Sequence, residues 1–289
     1  MEKKLIDMHI HTIYSDGDKT PLEIYEMAKS KKMKAFAITD HDSIVGSRTI
    51  ENMQLDDIIF INGIEISCEV DKGQLHILGY DLDFTNKCLN NKLDELMLNS
   101  YKNLKSVLEQ LLKDNSQILF NEEDINQMLS LNKSVSVVDL AQLLVKYNYC
   151  INTNEAFDKY IVSAYGKIRK ETTHLNYKEA IELILNSGGI PVLAHNNKLK
   201  LNDEELDLFV KKLVECGLIG IEAFHSSFNA TDVINSLVLS DKYNLLISGG
   251  SDYHGESVKP EIELGTGKES NLKIKQLSLV DYVQKRKHC

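Results

Sequence analysis

Leu5-Ile6-Asp7-Met8-His9-Ile10-His11 is the stretch whose reading decides the fold. Apolar Leu5, Ile6, Met8 and Ile10 surround polar groups, the pattern of a buried strand. Side chains two apart on a strand share a face, so His9 and His11 project together. Asp16 follows in Tyr14-Ser15-Asp16-Gly17-Asp18, a turn-forming run that can fold a carboxylate back over the imidazoles. Imidazole and carboxylate are ligands of a borderline divalent metal. Two histidines make no metal site by themselves, so the remaining ligands are sought at the ends of later strands.

Outward from this stretch the pattern alternates. Thr20-Pro21-Leu22-Glu23 is a capping box with Pro at N1. It opens a helix to about Lys32, with Leu22, Tyr25 and Ala28 inward. Ala35-Phe36-Ala37-Ile38 is a continuous apolar strand that ends in Thr39-Asp40-His41-Asp42. A helix over about 44–53 leads to the strand Ile58-Ile59-Phe60-Ile61, which ends in Asn62-Gly63-Ile64-Glu65. Leu75–Tyr80 is the next strand. From about Asn86 to Ser187 the apolar residues recur at helical spacing, and segments near Glu122–Leu131, Val137–Tyr147 and Asn154–Val162 read as helices. Alternation then resumes. Strands end at His195, at His225 and before Gly249-Gly250-Ser251-Asp252-Tyr253-His254. Helices are expected at Tyr177–Asn186, Asp203–Cys216, Thr231–Tyr243 and Leu272–Gln284.

This predicts an α/β chain, with residues 1–85 and 173–289 forming a barrel and residues 86–172 a helical insertion expected to cap a site. At 289 residues, with 43% hydrophobic and 26% charged, the composition is that of a soluble globular protein. No apolar run approaches the ~18 residues that span a bilayer. Met1-Glu2-Lys3-Lys4 carries no signal core, so a cytoplasmic location is expected. The five cysteines form no C-x-x-C, and their odd number fits a reducing compartment. A formal net charge of −10 disfavours binding of extended duplex nucleic acid. An acidic chain can still take an anionic substrate if bound metals supply positive charge.

Nearly every expected strand carries His, Asp or Glu at its C-terminal end: His9 and His11, His41, Glu65, His195, His225, then Asp252 and His254, with His76 just inside its strand. Loops at that face of an α/β barrel build its active site. Core packing gives no reason for such agreement.

Asp7-Met8-His9-Ile10-His11-Thr12 with Ser15-Asp16-Gly17, Ile38-Thr39-Asp40-His41-Asp42, Gly63-Ile64-Glu65-Ile66-Ser67, Ala194-His195 and Gly250-Ser251-Asp252-Tyr253-His254 together resemble the successive motifs of the PHP (polymerase and histidinol phosphatase) family. The resemblance implies a distorted (β/α)7 barrel, two or three divalent metals and hydrolysis of phosphoesters. By position it implies the metal ligands His9, His11, Asp16, His41, Glu65, His76, His195, Asp252 and His254. The insertion resembles a subgroup of small phosphoesterases acting on nucleoside 3′,5′-bisphosphates and short RNA 5′ ends, through Asp139–Val145 and Glu155–Tyr160. It departs from that subgroup at Val137-Val138-Asp139, where an Arg-Pro-His stretch is usual. Arg169, Lys167 and Lys170 are candidates for replacement charge toward substrate phosphate.

Two metals about 3.5–4 Å apart suit phosphoester hydrolysis, because they generate the nucleophile from water and stabilise the leaving oxygen. Glu65 is expected to bridge, His9 and His11 to hold one metal with Asp252 nearby, and His76 and His195 a second. Asp16, His41 and His254 are candidates for a third. His225 is the candidate general acid or phosphate ligand, and Asp40 a carboxylate that orients a ligand histidine. The N and O donors suit Mn²⁺, Fe²⁺, Zn²⁺ or Mg²⁺, with Mn²⁺ the leading expectation. The expected partner is a small phosphorylated substrate, or a short RNA or DNA end, with no membrane. Alternatives are a histidinol-phosphate or phosphotyrosine phosphatase and a non-catalytic metal-binding module. The complete ligand set argues against the last.

Overall fold

The computed structural model describes residues 4–53, 55, 58–130 and 133–288. Met1, Glu2, Lys3, Leu131 and Cys289, which enter the sequence reading above, lie outside them. The chain divides into two compact units, residues 1–90 with 174–289, and residues 91–173.

The first unit opens with β1 (Ile6–Asp7), α1 (Pro21–Ser30), β2 (Ala35–Phe36), α2 (Val45–Glu51) and β3 (Ile59–Phe60). These strands form a parallel sheet in the order β1-β2-β3. Thr20 and Glu23 form the expected capping box on α1, but the buried face is Ile24, Tyr25 and Ala28. Leu22 is 51% exposed. After Phe60 the chain spends two residues crossing to β4 (Gly63–Cys68), then continues in β5 (Leu75–Tyr80).

The helical unit contains most of α3 (Lys87–Asp114), then α4 (Glu122–Met128), α5 (Val137–Lys146), α6 (Thr153–Ala156) and α7 (Val162–Lys167), with one π-helical turn at Phe157–Ile161. Its core joins Leu104, Val107, Leu108 and Leu111 of α3 to Leu140 and Leu144 of α5 and to Ala156, Ile161 and Ala164. Asp139, at the departure from the subgroup's pattern, completes a capping box with Ser136 at the start of α5 and pairs with Lys133.

The chain returns to the first unit through α8 (Tyr177–Asn186), β6 (Ile190–Leu193), α9 (Asp203–Glu215), β7 (Gly220–His225), α10 (Ala230–Tyr243) and β8 (Leu246–Gly250). Asn residues cap α8, α9 and α10, each in a capping box. The hairpin β9 (Ile262–Glu263) and β10 (Gly267–Lys268) and then α11 (Ser278–His288) end the chain. No helix among the described residues is long and apolar enough to cross a membrane.

The second sheet has the order β4-β5-β6-β7-β8. β5 runs antiparallel to both neighbours, so the expected all-parallel alternation fails there. The reversal has a functional consequence. The beginning of β5 lies beside the end of β4, with Ser67 opposite His76. His76 therefore meets residues from the exits of the other strands.

Among the described residues no ladder closes the two sheets into one barrel; single bridges join them, Ile10 to Tyr253 and His41 to Glu65, both parallel. Met8 N–H donates to the Gly249 carbonyl at 3.1 Å, Asp252 N–H to that of His9 at 2.9 Å, and Glu65 N–H to that of Asp40 at 3.1 Å. Main-chain bonds thus lace the exit of β1 to that of β8, and the exit of β2 to β4.

The last helix begins six residues later than expected. Leu272 and Ile274 are buried while Lys273 and Lys275 between them are exposed. That is a period of two, and Ile274 accepts the Ile6 N–H at 2.9 Å along the edge of β1.

Candidate metal centre

Asp7 ends β1 fully buried and anchors the exits around it. Its Oδ1 accepts the Ser251 N–H at 2.8 Å, and its Oδ2 accepts the Ser251 hydroxyl at 2.5 Å and the Gly265 N–H at 2.7 Å. Beyond it His9 and His11 point inward together, both fully buried, with ring centroids 5.2 Å apart. Asp16 reaches back as expected, its Oδ1 3.3 Å from His11 Nδ1 and its Oδ2 3.2 Å from His254 Nε2. The return is tight at Gly17, where a Cβ would lie 2.7 Å from the His11 carbonyl oxygen.

Glu65 is the hub. Its Oε2 lies 3.2 Å from His9 Nε2, 3.1 Å from His11 Nε2 and 3.3 Å from His41 Nδ1. Its Oε1 lies 2.8 Å from His76 Nδ1 and 2.9 Å from His195 Nε2. Glu65 lies inside β4 rather than past the end of the preceding strand; the alternation of Ile64 and Ile66 with Glu65 and Ser67 was its signal. Asp252, at φ 58°, directs Oδ1 to His11 Nε2 at 3.3 Å and to His9 Nε2 at 3.6 Å. A left-handed backbone at a non-glycine residue is a strained conformation of the kind found at functional sites.

All nine residues assigned as ligands by position are therefore gathered. They supply overlapping sets of donors within 4.8 Å of one another, including His11-Asp16-His41-His254, His9-Glu65-His195, His9-His11-Asp252 and His41-Glu65-His76. His9 Nε2, His11 Nε2, His41 Nδ1, Glu65 Oε2 and Asp16 Oδ1 are buried and have no hydrogen-bond partner. Buried polar atoms are almost always satisfied, and cations placed between these would satisfy them. The donor set fits divalent ions.

The electrostatics agree. Burial opposes the charge on Glu65, but His41, His9 and His76 hold its carboxyl well below the usual range. Burial is likewise overcome at Asp16, by His254 and His41, and at Asp252, by Lys259, Lys198 and His254. Burial pushes His41 down to about 3 and also lowers His195 and His254. At His9 burial loses to Glu65 and Glu222, and the metal-free ring is raised to about 10.

His225 is 1% exposed and stands in the wall of the cluster. Its Nδ1 accepts the Ser227 N–H at 3.0 Å, so the neutral ring carries its proton on Nε2, 3.4 Å from Asp252 Oδ2. Asp40 touches no imidazole. It accepts the Thr12 N–H, the Thr12 hydroxyl and the Ser15 hydroxyl, each at 2.7 Å, and Ser15 Oγ is 3.3 Å from His11 Nδ1. In the helical unit Lys167 pairs with Asp114 at 2.7 Å, Lys170 lies over the Tyr165 ring, and Arg169 is exposed.

Three residues escaped the sequence reading. Lys198 and Lys259 approach Asp252 Oδ2 at 3.2 and 2.9 Å. Glu222 is fully buried between His9 and His195. An acid inside the apolar strand 219–224 was a visible signal for Glu222, whereas Lys198, in a short 3-10 turn (Asn196–Leu199), and Lys259, in a loop, gave none.

The PHP domain family profile matches residues 7–217. The chain belongs to the PHP domain family. Among its relatives, the phosphoribosyl 1,2-cyclic phosphate 1,2-diphosphodiesterase of Eggerthella lenta is 25% identical, covering 86% of this chain and 94% of its own. The 5′-3′ exoribonuclease Rnm of Escherichia coli is 28% identical, covering 90% and 88%. The 3′,5′-nucleoside bisphosphate phosphatase of Chromobacterium violaceum is 24% identical, covering 86% and 87%. In fold, this PHP chain is similar to an amidohydrolase of Chromobacterium violaceum, with a TM-score of 0.80 at 22% identity over 97% of this chain and 96% of that one.

Proposed function

We propose that this PHP protein is a metal-dependent phosphoesterase that hydrolyses a small nucleotide, such as a nucleoside 3′,5′-bisphosphate, or a short oligonucleotide 5′ end. The observation that carries this is Glu65, whose two oxygens face two different sets of histidines. The names of the relatives, a cyclic phosphodiesterase, an exoribonuclease and a bisphosphate phosphatase, support the substrate class. In this reading the two sheets are parts of a distorted (β/α)7 barrel.

We assign His9, His11 and Asp252 to one metal, His76 and His195 to a second, and Asp16, His41 and His254 to a third, with Glu65 between the first two. Divalent ions there, with Mn²⁺ the first choice, supply Lewis-acid charge and a water nucleophile at neutral pH. The chain's own residues supply the rest. His225 offers its Nε2–H as a hydrogen-bond donor to the leaving oxygen or a phosphoryl oxygen. Lys198 and Lys259 bring fixed positive charge beside Asp252. Asp40 holds the 12–15 turn, and through Ser15 the orientation of His11. Arg169 and Lys167 remain candidates for phosphate contact.

A second reading is a phosphatase for a monophosphate ester such as histidinol phosphate or phosphotyrosine. The departure at Val137-Val138-Asp139 favours it, because the Arg-Pro-His stretch usual in the nucleotide subgroup is missing there.

A hydrolysis panel with Mn²⁺ separates the readings. It contains a nucleoside 3′,5′-bisphosphate, a 5′-phosphorylated short RNA, phosphoribosyl 1,2-cyclic phosphate, histidinol phosphate and a phosphotyrosine peptide. Turnover of a nucleotide, abolished by chelator, is expected. Turnover of only the last two establishes the second reading, and turnover that survives chelation contradicts both.

A further inference from the structure

Glu222 is a buried acid that the proposed ligand set does not use. It lies mid-strand in β7 and is fully inaccessible to solvent. Its Oε1 is 3.1 Å from His9 Nδ1, and its Oε2 accepts the backbone N–H of His195 at 2.8 Å. His9 follows β1 and His195 follows β6, so one carboxylate spans the exits of two strands.

We propose that Glu222 is a positioning residue: it fixes the proton of His9 on Nδ1 and pins the His195 backbone, and so presents both imidazoles to divalent metal. This inference rests on reading the cluster as a metal centre. A backbone amide only donates, so Oε2 is committed as an acceptor. An ionised Glu222 requires Nδ1 of His9 to donate to Oε1. A neutral imidazole holds one proton, so Nε2 of His9 keeps its lone pair. That atom is buried without a hydrogen-bond partner, and its neighbours are Glu65 Oε2 at 3.2 Å and Asp252 Oδ1 at 3.6 Å. Once His9 gives up its second proton to bind metal, that lone pair faces two carboxylate oxygens, an arrangement that a cation among them relieves.

A carboxylate is required because it accepts at two atoms at once. The amide of glutamine accepts at one. With its oxygen toward His195, its NH₂ group would face His9 Nδ1 and drive the His9 proton onto Nε2, the ligand position. Turned over, it would set two donors against each other at His195. Either arrangement disturbs a ligand while keeping the volume of the side chain. The two oxygens of Glu222 already face His9 Nδ1 and the His195 N–H. Partners that orient metal-bound histidines in this way typically change metal affinity 10–100-fold when removed.

The test titrates Zn²⁺ into the metal-stripped full chain, wild type and Glu222→Gln. A loss of roughly 10–100-fold in affinity at one site or more is expected, with the thermal midpoint of the metal-free variant close to wild type. Equal affinity and stoichiometry in the variant would overturn the inference. Should the variant fail to fold, nitrogen-15 NMR of the histidines in Zn²⁺-loaded wild type decides, with the His9 signals assigned by a His9→Gln spectrum. His9 protonated at Nδ1 supports the inference, and His9 protonated at Nε2 overturns it. A wild-type chain that takes up no Zn²⁺ overturns the metal reading and this inference with it. A wild type that loads beside a variant that loads equally overturns this inference alone.

Discussion

Glu65 Oε2 lies 3.2 Å from His9 Nε2, and neither atom has a hydrogen-bond partner. Two buried polar atoms facing each other unsatisfied are costly, and a cation between them removes the cost. Glu65→Gln removes the carboxylate charge, and one of its two acceptor oxygens, at the point where the histidine sets meet. Metal content measured by inductively coupled plasma mass spectrometry should fall, and kcat/KM should drop by roughly 10²-fold or more, beyond the range seen for outer partners of metal ligands. Full metal content and activity in this variant would contradict the role given to Glu65.

Metal uptake should release protons. Without metal, His9 is raised to about 10 by Glu65 and Glu222 against the pull of burial, and His11 is also raised. Both rings are therefore protonated at neutral pH and must lose a proton to bind metal. A raised value means that proton competition weakens as pH rises from neutral toward about 10. Affinity should increase over that window by up to about tenfold per pH unit for each proton displaced. Calorimetry in two buffers of different ionisation enthalpy measures the release directly. Zero release with pH-independent affinity would sink the prediction.

Gly250 is set by packing. A Cβ there would lie 2.4 Å from the His9 backbone nitrogen and 2.5 Å from the His9 Cβ. Gly250→Ala must push the exits of β1 and β8 apart, at a cost of roughly 1–3 kcal/mol. The lowered urea midpoint should come with weakened metal binding. An unchanged midpoint would show that the exits are not held as described.

His225→Gln separates a hydrogen-bond donor from a metal ligand. With Nδ1 accepting from Ser227, the ring acts through its Nε2 proton. Metal content should be retained while kcat falls by roughly 10²- to 10³-fold, the effect of losing one donor aimed at developing charge. Loss of metal without other change would place His225 among the ligands instead.

The histidine and acid positions were legible from sequence because strand exits in α/β chains collect functional groups, and His9, His11, His41, Glu65, His195, Asp252 and His254 are brought together. Turn and cap chemistry was equally readable at Thr20-Pro21-Leu22-Glu23. Strand direction was not. The sequence of β5 carries no mark of its reversal, because direction depends on which neighbour it pairs with. Leu272–Leu277 was read as helix although its lysines alternate with apolar residues. Lys198 and Lys259 could not be placed, since only the folded chain brings them to Asp252. Glu222 stood in plain view, but its role needed the positions of His9 and His195.

The most direct test is anomalous diffraction from crystals of the full chain grown with Mn²⁺, measured at the manganese edge. At least two peaks are expected within the cluster, one bounded by His9, His11 and Asp252 and another by His76 and His195, with Glu65 between them. Absence of peaks there at full Mn²⁺ loading, or peaks confined to other parts of the chain, would contradict the metal centre.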